Sequence, residues 1–213
     1  MTVLIFDFDD TLIFSQSDRA LRLKSAIRRF GHQVDEDSLS LVWGKPFRRM
    51  VTTIAPSIEG QFEDFLQFYA AELAKTPPRA CPGTVEAIPQ LARHARLLVH
   101  SASDSLLVRT DLHSLGLLPL FDFVCGSDWQ ATPKPDPESL DFIWKLPGFE
   151  KMARSEVYYI GDSSTDADIA EHAGVHFVRT HYAESSRQQY FKMPYPSVTN
   201  LEELFIILGK ALG

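Results

Sequence analysis

After residue 81 short apolar runs alternate with stretches of helical spacing, and this change of period narrows the possible folds more than any other feature of the chain. RLLVH at 96–100, FDFVC at 121–125, EVYYI at 156–160 and VHFVRT at 175–180 are strand-like, as is VLIF at 3–6 near the start. Between and after them TVEAIPQLARHA, SLLVRTDLHSLG, PESLDFIWKL, STDADIAEHAG and NLEELFIILGKAL read as helices. Continuous apolar strands are those buried on both faces of a parallel sheet. Their alternation with helices builds βαβ units, and so predicts an α/β fold with a doubly wound, Rossmann-like parallel sheet.

The segment from about 15 to 76 breaks that alternation. SQSDRALRLKSAIRRFG sets Leu21, Ala26, Ile27 and Phe30 at helical spacing and stops at Gly31. EGQFEDFLQFYAAELAKT repeats the pattern with Phe62, Phe65, Leu66, Tyr69 and Leu73. LSLVWGKPFRRMVTTIAP, between them, reads as two shorter pieces split at Gly44 and Pro46, and PPRACPG at 77–83 as a linker. The expected organisation is an α/β core of residues 1–14 and 81–213, with an all-helical cap, 15–80, inserted after the first strand.

Charge and composition exclude some functions. The net charge of −7 opposes a general nucleic-acid or anionic-membrane binder. No run approaches the roughly 18 apolar residues of a membrane span, and no basic stretch followed by an apolar run opens the chain. Cys81 and Cys125 lack metal-ligand spacing and suit a reducing compartment. A cytoplasmic globular protein is expected, a monomer or weak dimer, with no nucleic acid or membrane as partner.

In an open α/β sheet the active site lies beyond the carboxyl ends of the strands. The first strand runs into Asp7, Phe8 and Asp9; RLLVH into Ser101, Ala102 and Ser103; EVYYI into Gly161, Asp162 and, four residues on, Asp166; TPKPDP, with Lys134, follows the third strand-like run. Asp7, Asp9, Asp162 and Asp166 would crowd together. Two like charges 4 Å apart repel by about 4 kcal/mol at an effective dielectric near 20. Lys134 supplies one compensating charge, and a hard divalent ion on oxygen ligands, Mg²⁺, supplies more. Ser101, with the Ala102 and Ser103 amides near a helix start, can hold an anion. A carboxylate nucleophile, a metal, an anion cradle and a lysine are the parts of phosphoryl transfer.

FDFDDTL, VHSAS, KPDP and GDSSTDADIAEHAG resemble, in order and spacing, the four motifs of the haloacid dehalogenase-like superfamily, in its phosphoglycolate phosphatase and beta-phosphoglucomutase branch. The resemblance covers nearly the whole chain and implies these roles. Asp7 is the nucleophile that forms an aspartyl-phosphate. Asp9 is acid and then base. Asp7, the Asp9 carbonyl, Asp162 and, directly or through water, Asp166 hold Mg²⁺. Ser101 holds a phosphoryl oxygen and Lys134 neutralises the transition state. Thr11 fixes Asp9 by a local hydrogen bond at the substrate side. Dehalogenases and phosphonatases of the superfamily lack an acid at the position of Asp9, so a phosphate ester of a small soluble metabolite is the implied substrate. Asp10 stands where this branch commonly has glycine, and an aspartate tolerates positive φ there. In the cap, Lys45 and Arg48 are candidates for a substrate anion, or part of a solvated basic face.

Two alternatives use similar residues. A sugar phosphomutase of the same architecture returns the phosphoryl group to a sugar hydroxyl. A phospho-aspartate receiver module also combines acids, a hydroxyl and a lysine, but is shorter and has no such insert.

Overall fold

The computed structural model describes residues 1–34, 38–39, 41–183 and 191–212, with the side chains of 16–18 and 210 left out. Six parallel strands form one sheet in the order β3-β2-β1-β4-β5-β6. They are β1 Val3–Phe6, β2 Arg96–His100, β3 Phe123–Cys125, β4 Val157–Gly161, β5 His176–Thr180 and β6 Ser197–Val198. The order reverses between β1 and β4, so their carboxyl ends flank the crevice where ligands of such sheets bind.

All four β1 residues are buried. Leu4 and Phe6 enter one apolar layer, with Leu97, Val99 and helices α4 (Thr84–Leu91) and α5 (Ser105–Ser114). Val3 and Ile5 enter the opposite layer, with Tyr159, Phe177 and helix α6 (Ser164–Ala173). The two-residue period of the strand divides its side chains between these layers.

The helical stretch comprises α1 (Gln16–Arg29), α2 (Phe47–Ile54), a 3₁₀ turn at Pro56–Gln61 and α3 (Phe62–Leu73). Its apolar side chains form a separate cluster, joined from the α/β part by Leu107 of α5. Phe65 lies at its centre, with ring centroids 5.2 Å from Phe30, 6.4 Å from Phe47 and 6.2 Å from Tyr69. The buried face of α1 is Leu23, Ala26 and Ile27, with Phe30 packed against the cluster. Leu21, expected on this face, is 64% exposed; Leu23, Ala26, Ile27 and Phe30 follow the i, i+3, i+4, i+7 stripe, and Leu21 falls off it. The first short piece of LSLVWGKPFRRMVTTIAP includes residue 40, outside the described residues.

Two other expectations are corrected, and one strand was not anticipated. PESLDFIWKL is a 3₁₀ segment, Pro137–Lys145, opening on a proline and followed by Pro147 and Gly148. The last helix is short: a 3₁₀ turn at Leu201–Glu203 and α7, Leu204–Leu208, end at Gly209, whose φ of +36° turns the chain out of the helix. β6 is too short to leave a periodic signal.

His100 ends β2 on the side opposite Ser101, with Nδ1 2.8 Å from the Tyr159 hydroxyl. Burial, reinforced by the Lys134 charge, holds this imidazole well below its usual pKa. The unfolded chain therefore takes up a proton below about 6.5 that the folded chain refuses, and stability falls as pH falls through that value. Between pH 7.5 and 5.5 the wild type is expected to lose about 1 kcal/mol more unfolding free energy than His100→Gln; equal losses in urea titrations would contradict this. Phe65→Ala is expected to cost about 3–5 kcal/mol in the same assay, because it empties the centre of the aromatic cluster.

Candidate active site

The chain leaves β1 by a tight turn that sets the first two acids. The Asp7 amide continues the sheet ladder onto the Ile160 carbonyl, 2.8 Å away. The amides of Leu12 and Ile13 return to the Phe8 carbonyl, and that of Asp10 to the Ile13 carbonyl. Asp10 makes the turn at φ +62°, with its carboxylate accepting from the Ser15 amide at 3.1 Å. It is buried structural machinery of the loop, in a conformation that aspartate tolerates better than most residues.

β4 delivers the other acids. Gly161 leads into Asp162 and the start of α6, where Ser163 and Asp166 form a reciprocal capping box. A Cβ on Gly161 would lie 2.6 Å from Asp166 Cγ, so only glycine lets that carboxylate fold back against the strand. Lys134 reaches in from the loop after β3. Its Nζ lies 2.7 Å from both Asp7 Oδ1 and Asp166 Oδ1, and all three residues are buried.

Burial pushes the Asp7 carboxyl up to about 7, with Asp166 and Asp9 adding to the rise and Lys134 opposing it. Burial alone would lower the pKa of Lys134, but Asp166 and Asp7 hold its ammonium well above the usual range. Carboxylate oxygens of Asp7, Asp162 and Asp166 all lie within 4.8 Å of one another. Three hard oxygen donors against one lysine fit a small divalent cation such as Mg²⁺. Both Asp166 oxygens already accept hydrogen bonds, from Lys134 and from Ser163.

The Asp9 carboxylate points to the other side of the pocket. Its Oδ2 accepts from the Ser103 hydroxyl at 2.7 Å and its Oδ1 from Arg19 Nη1 at 2.9 Å. Arg19, on α1, was missed by motif reasoning. It is nearly buried, also pairs with Asp111 of α5, and lies over the Phe8 ring. In sequence it looks like one of several arginines on an amphipathic helix.

Thr11 does not hold Asp9. Its hydroxyl donates to Asp7 Oδ2 at 3.0 Å and the residue is fully buried, so it steadies Asp7 and does not line the pocket. Of the groups expected to hold an anion, Ser101 with the Ala102 and Ser103 amides, the Ser103 amide is engaged, and so are the Ser105 and Leu106 amides that follow it. The Ser105 amide is taken by Asp128 and the Leu106 amide by Asp104, while the Ser103 amide donates to Ser101 Oγ at 3.0 Å. Asp104 and Asp128 thus occupy the helix start. Ala102 and Ser103 line the pocket, and Ser101 lies fully buried behind them.

The pocket holds about 220 Å³ between the sheet edge and the helical stretch, which contributes Arg19, Trp43, Lys45 and Phe47 to the wall. The Phe47 amide, at the start of α2, donates to the Ala102 carbonyl at 3.0 Å and ties the two parts together at the rim. Arg48 is absent from the lining: it pairs with Glu59 and Glu63 and covers the Phe62 ring. Of the two candidate basic residues, only Lys45 reaches the pocket. No described helix is long and apolar enough to cross a membrane.

The sequence model of the haloacid dehalogenase-like hydrolase family matches residues 4–180. Phosphoglycolate phosphatase 1 of Pseudomonas aeruginosa is 28% identical over 186 residues, which is 81% of this chain and 66% of that protein. The chain thus spans just under two thirds of that relative. A phosphoglycolate phosphatase of Mesorhizobium japonicum is 25% identical, over 99% of this chain and 96% of its own length. Among solved structures, CbbY from Rhodobacter sphaeroides in complex with phosphate shares the fold at a TM-score of 0.81 and 17% identity, covering 100% of this chain and 99% of that one. A HAD-superfamily hydrolase from Geobacter sulfurreducens does so at 0.67 and 21%, covering 98% and 100%. With a family match over most of its length and a doubly wound sheet that gathers Asp7, Lys134, Asp162 and Asp166 at its switch point, the chain belongs to the haloacid dehalogenase-like hydrolases, among relatives named phosphoglycolate phosphatases.

Proposed function

We propose that the protein is a Mg²⁺-dependent phosphomonoester hydrolase that acts on a small phosphorylated metabolite through an aspartyl-phosphate on Asp7. The observation that carries this most directly is the buried Asp7 carboxylate, held by Lys134 on one oxygen and Thr11 on the other, with Asp9 facing the same pocket. Names of the sequence relatives support a phosphate ester, and phosphoglycolate heads the candidates.

Asp7, Asp162, the Asp9 carbonyl and, directly or through water, Asp166 would hold Mg²⁺. When bound, the ion neutralises charge on the carboxylates and phosphoryl oxygens. The chain's own residues do the rest. An Asp7 oxygen attacks phosphorus as the ester P–O bond breaks, and the departing alkoxide takes a proton from Asp9. A water then gives a proton to Asp9 and attacks phosphorus, which breaks the bond to Asp7 and frees inorganic phosphate. Lys134 offsets the charge that builds on the phosphoryl group. The Ser101 hydroxyl, behind the pocket wall, accepts from the Ser103 amide and would hold the Ala102–Ser103 stretch in place beside the phosphoryl group.

The helical stretch 15–80 acts as a cap on the core of 1–14 and 81–213, and its separate apolar cluster supports that division. Among the cap residues that line the pocket, Lys45 would meet an anionic group on the alcohol part of the substrate. Phosphorylated metabolites and the two buried free thiols suit the cytoplasm.

Phosphate release from a panel including 2-phosphoglycolate is expected to require Mg²⁺ and to fall by about 10³-fold or more in Asp7→Asn. An Asp7→Asn protein within tenfold of wild type would contradict the nucleophile. Isomerised sugar phosphate with no phosphate release would favour the mutase.

A further inference from the structure

Asp111 is not required by any step above, yet it is a buried carboxylate in the middle of α5, with its side chain only 2% exposed. Acidic residues are seldom fully buried without a partner. Its partner is Arg19, 92 residues away in sequence. Asp111 lies one turn beyond Leu107, on the same face of α5, and Leu107 packs into the cluster of the helical stretch. α3 packs against α5, and from α1 the long Arg19 side chain reaches in to meet Asp111.

The guanidinium is shared. Nη2 goes to Asp111, while Nη1 goes to Asp9 Oδ1 at 2.9 Å and Ser103 Oγ at 3.2 Å. Ser103 in turn donates to Asp9 Oδ2 at 2.7 Å. Each Asp9 oxygen thus receives one donor, the two donors lying 3.2 Å apart, and keeps a lone pair for the pocket. Arginine prefers to grip a carboxylate with both prongs of its fork. Nothing but Asp111 is seen to engage the second prong, and the Arg19 Nε has no partner among the described residues. Released from Asp111, the fork would turn onto Asp9, take both of its oxygens and displace the Ser103 hydroxyl.

We propose that Asp111 is a positioning residue for Asp9: acting through Arg19, it holds the general acid in the orientation that protonates the leaving group. This rests on the phosphatase function proposed above. Asp9 also takes the proton of the attacking water, but that step follows release of the alcohol and falls in kcat, so kcat/KM reads the leaving-group proton.

Two esters separate that role from a structural one. 2-Phosphoglycolate expels an alkoxide that needs the proton, whereas p-nitrophenyl phosphate expels a phenolate that leaves without it. In Asp111→Asn, kcat/KM for 2-phosphoglycolate is expected to fall about tenfold to a hundredfold, and for p-nitrophenyl phosphate about threefold or less. Arg19→Lys, which keeps the charge but loses the fork, is expected to show the same imbalance, and it carries the test if Asp111→Asn does not fold. On an Asp9→Asn background, Asp111→Asn should add no selective loss. Equal losses on both esters, or no loss on either, would overturn the proposal. A wild type that hydrolyses neither ester would instead overturn the phosphatase function itself.

Discussion

The Lys134 ammonium, 2.7 Å from Asp7 on one side and from Asp166 on the other, is the contact on which the rest of the site depends. Three carboxylates converge beyond β1 and β4, and their mutual repulsion in a buried crevice would be of the order of several kcal/mol without compensation. The lysine meets part of that charge. What remains is the charge that the proposed divalent cation would meet. Sheet order puts the acids there. β1 and β4 are neighbours at the point where the strand order reverses, so the residues that follow them face each other across the crevice.

The turns around this contact show how closely chain and chemistry are joined. Gly161 is glycine because Asp166 folds back over it, and Asp166 at the same time closes the capping box of α6. Asp10 takes a left-handed conformation so that the turn after β1 can aim Asp7 and Asp9 in different directions. Asp7 faces Lys134, Thr11 and the other acids; Asp9 faces Arg19 and Ser103. This division gives two carboxylates two residues apart the different surroundings that the proposed division of work between them requires.

Much of this was legible in the sequence, for physical reasons. Apolar runs such as VLIF and EVYYI are buried on both faces, so their composition marks them as strands, and the polar residues at their carboxyl ends mark the crevice. Asp7, Asp9, Lys134, Asp162 and Asp166 could be found because each lies next to a strand end or in a proline-framed loop. The Arg19–Asp111 pair could not, since it links two helices far apart in sequence and neither residue stands out in its local pattern. The partner of Thr11 depended on turn geometry below the resolution of spacing arguments. The start of α5 looked open to an anion because Asp128, which closes it, arrives from the loop after β3. Gly209 was visible, but the apolar LFIIL before it and the helix-forming KAL after it concealed its role as a stop.

The central claim is that the acids of β1 and β4 form one cation site. The most direct measurement is the thermal unfolding of wild type and Asp162→Asn, each metal-free and in saturating Mg²⁺. A ligand that binds only the folded state raises its stability by an amount set by its concentration relative to Kd. Wild type should melt several degrees higher in Mg²⁺, and Asp162→Asn should gain little or nothing. The same rise in both proteins, or none in the wild type, would contradict a site built from these carboxylates.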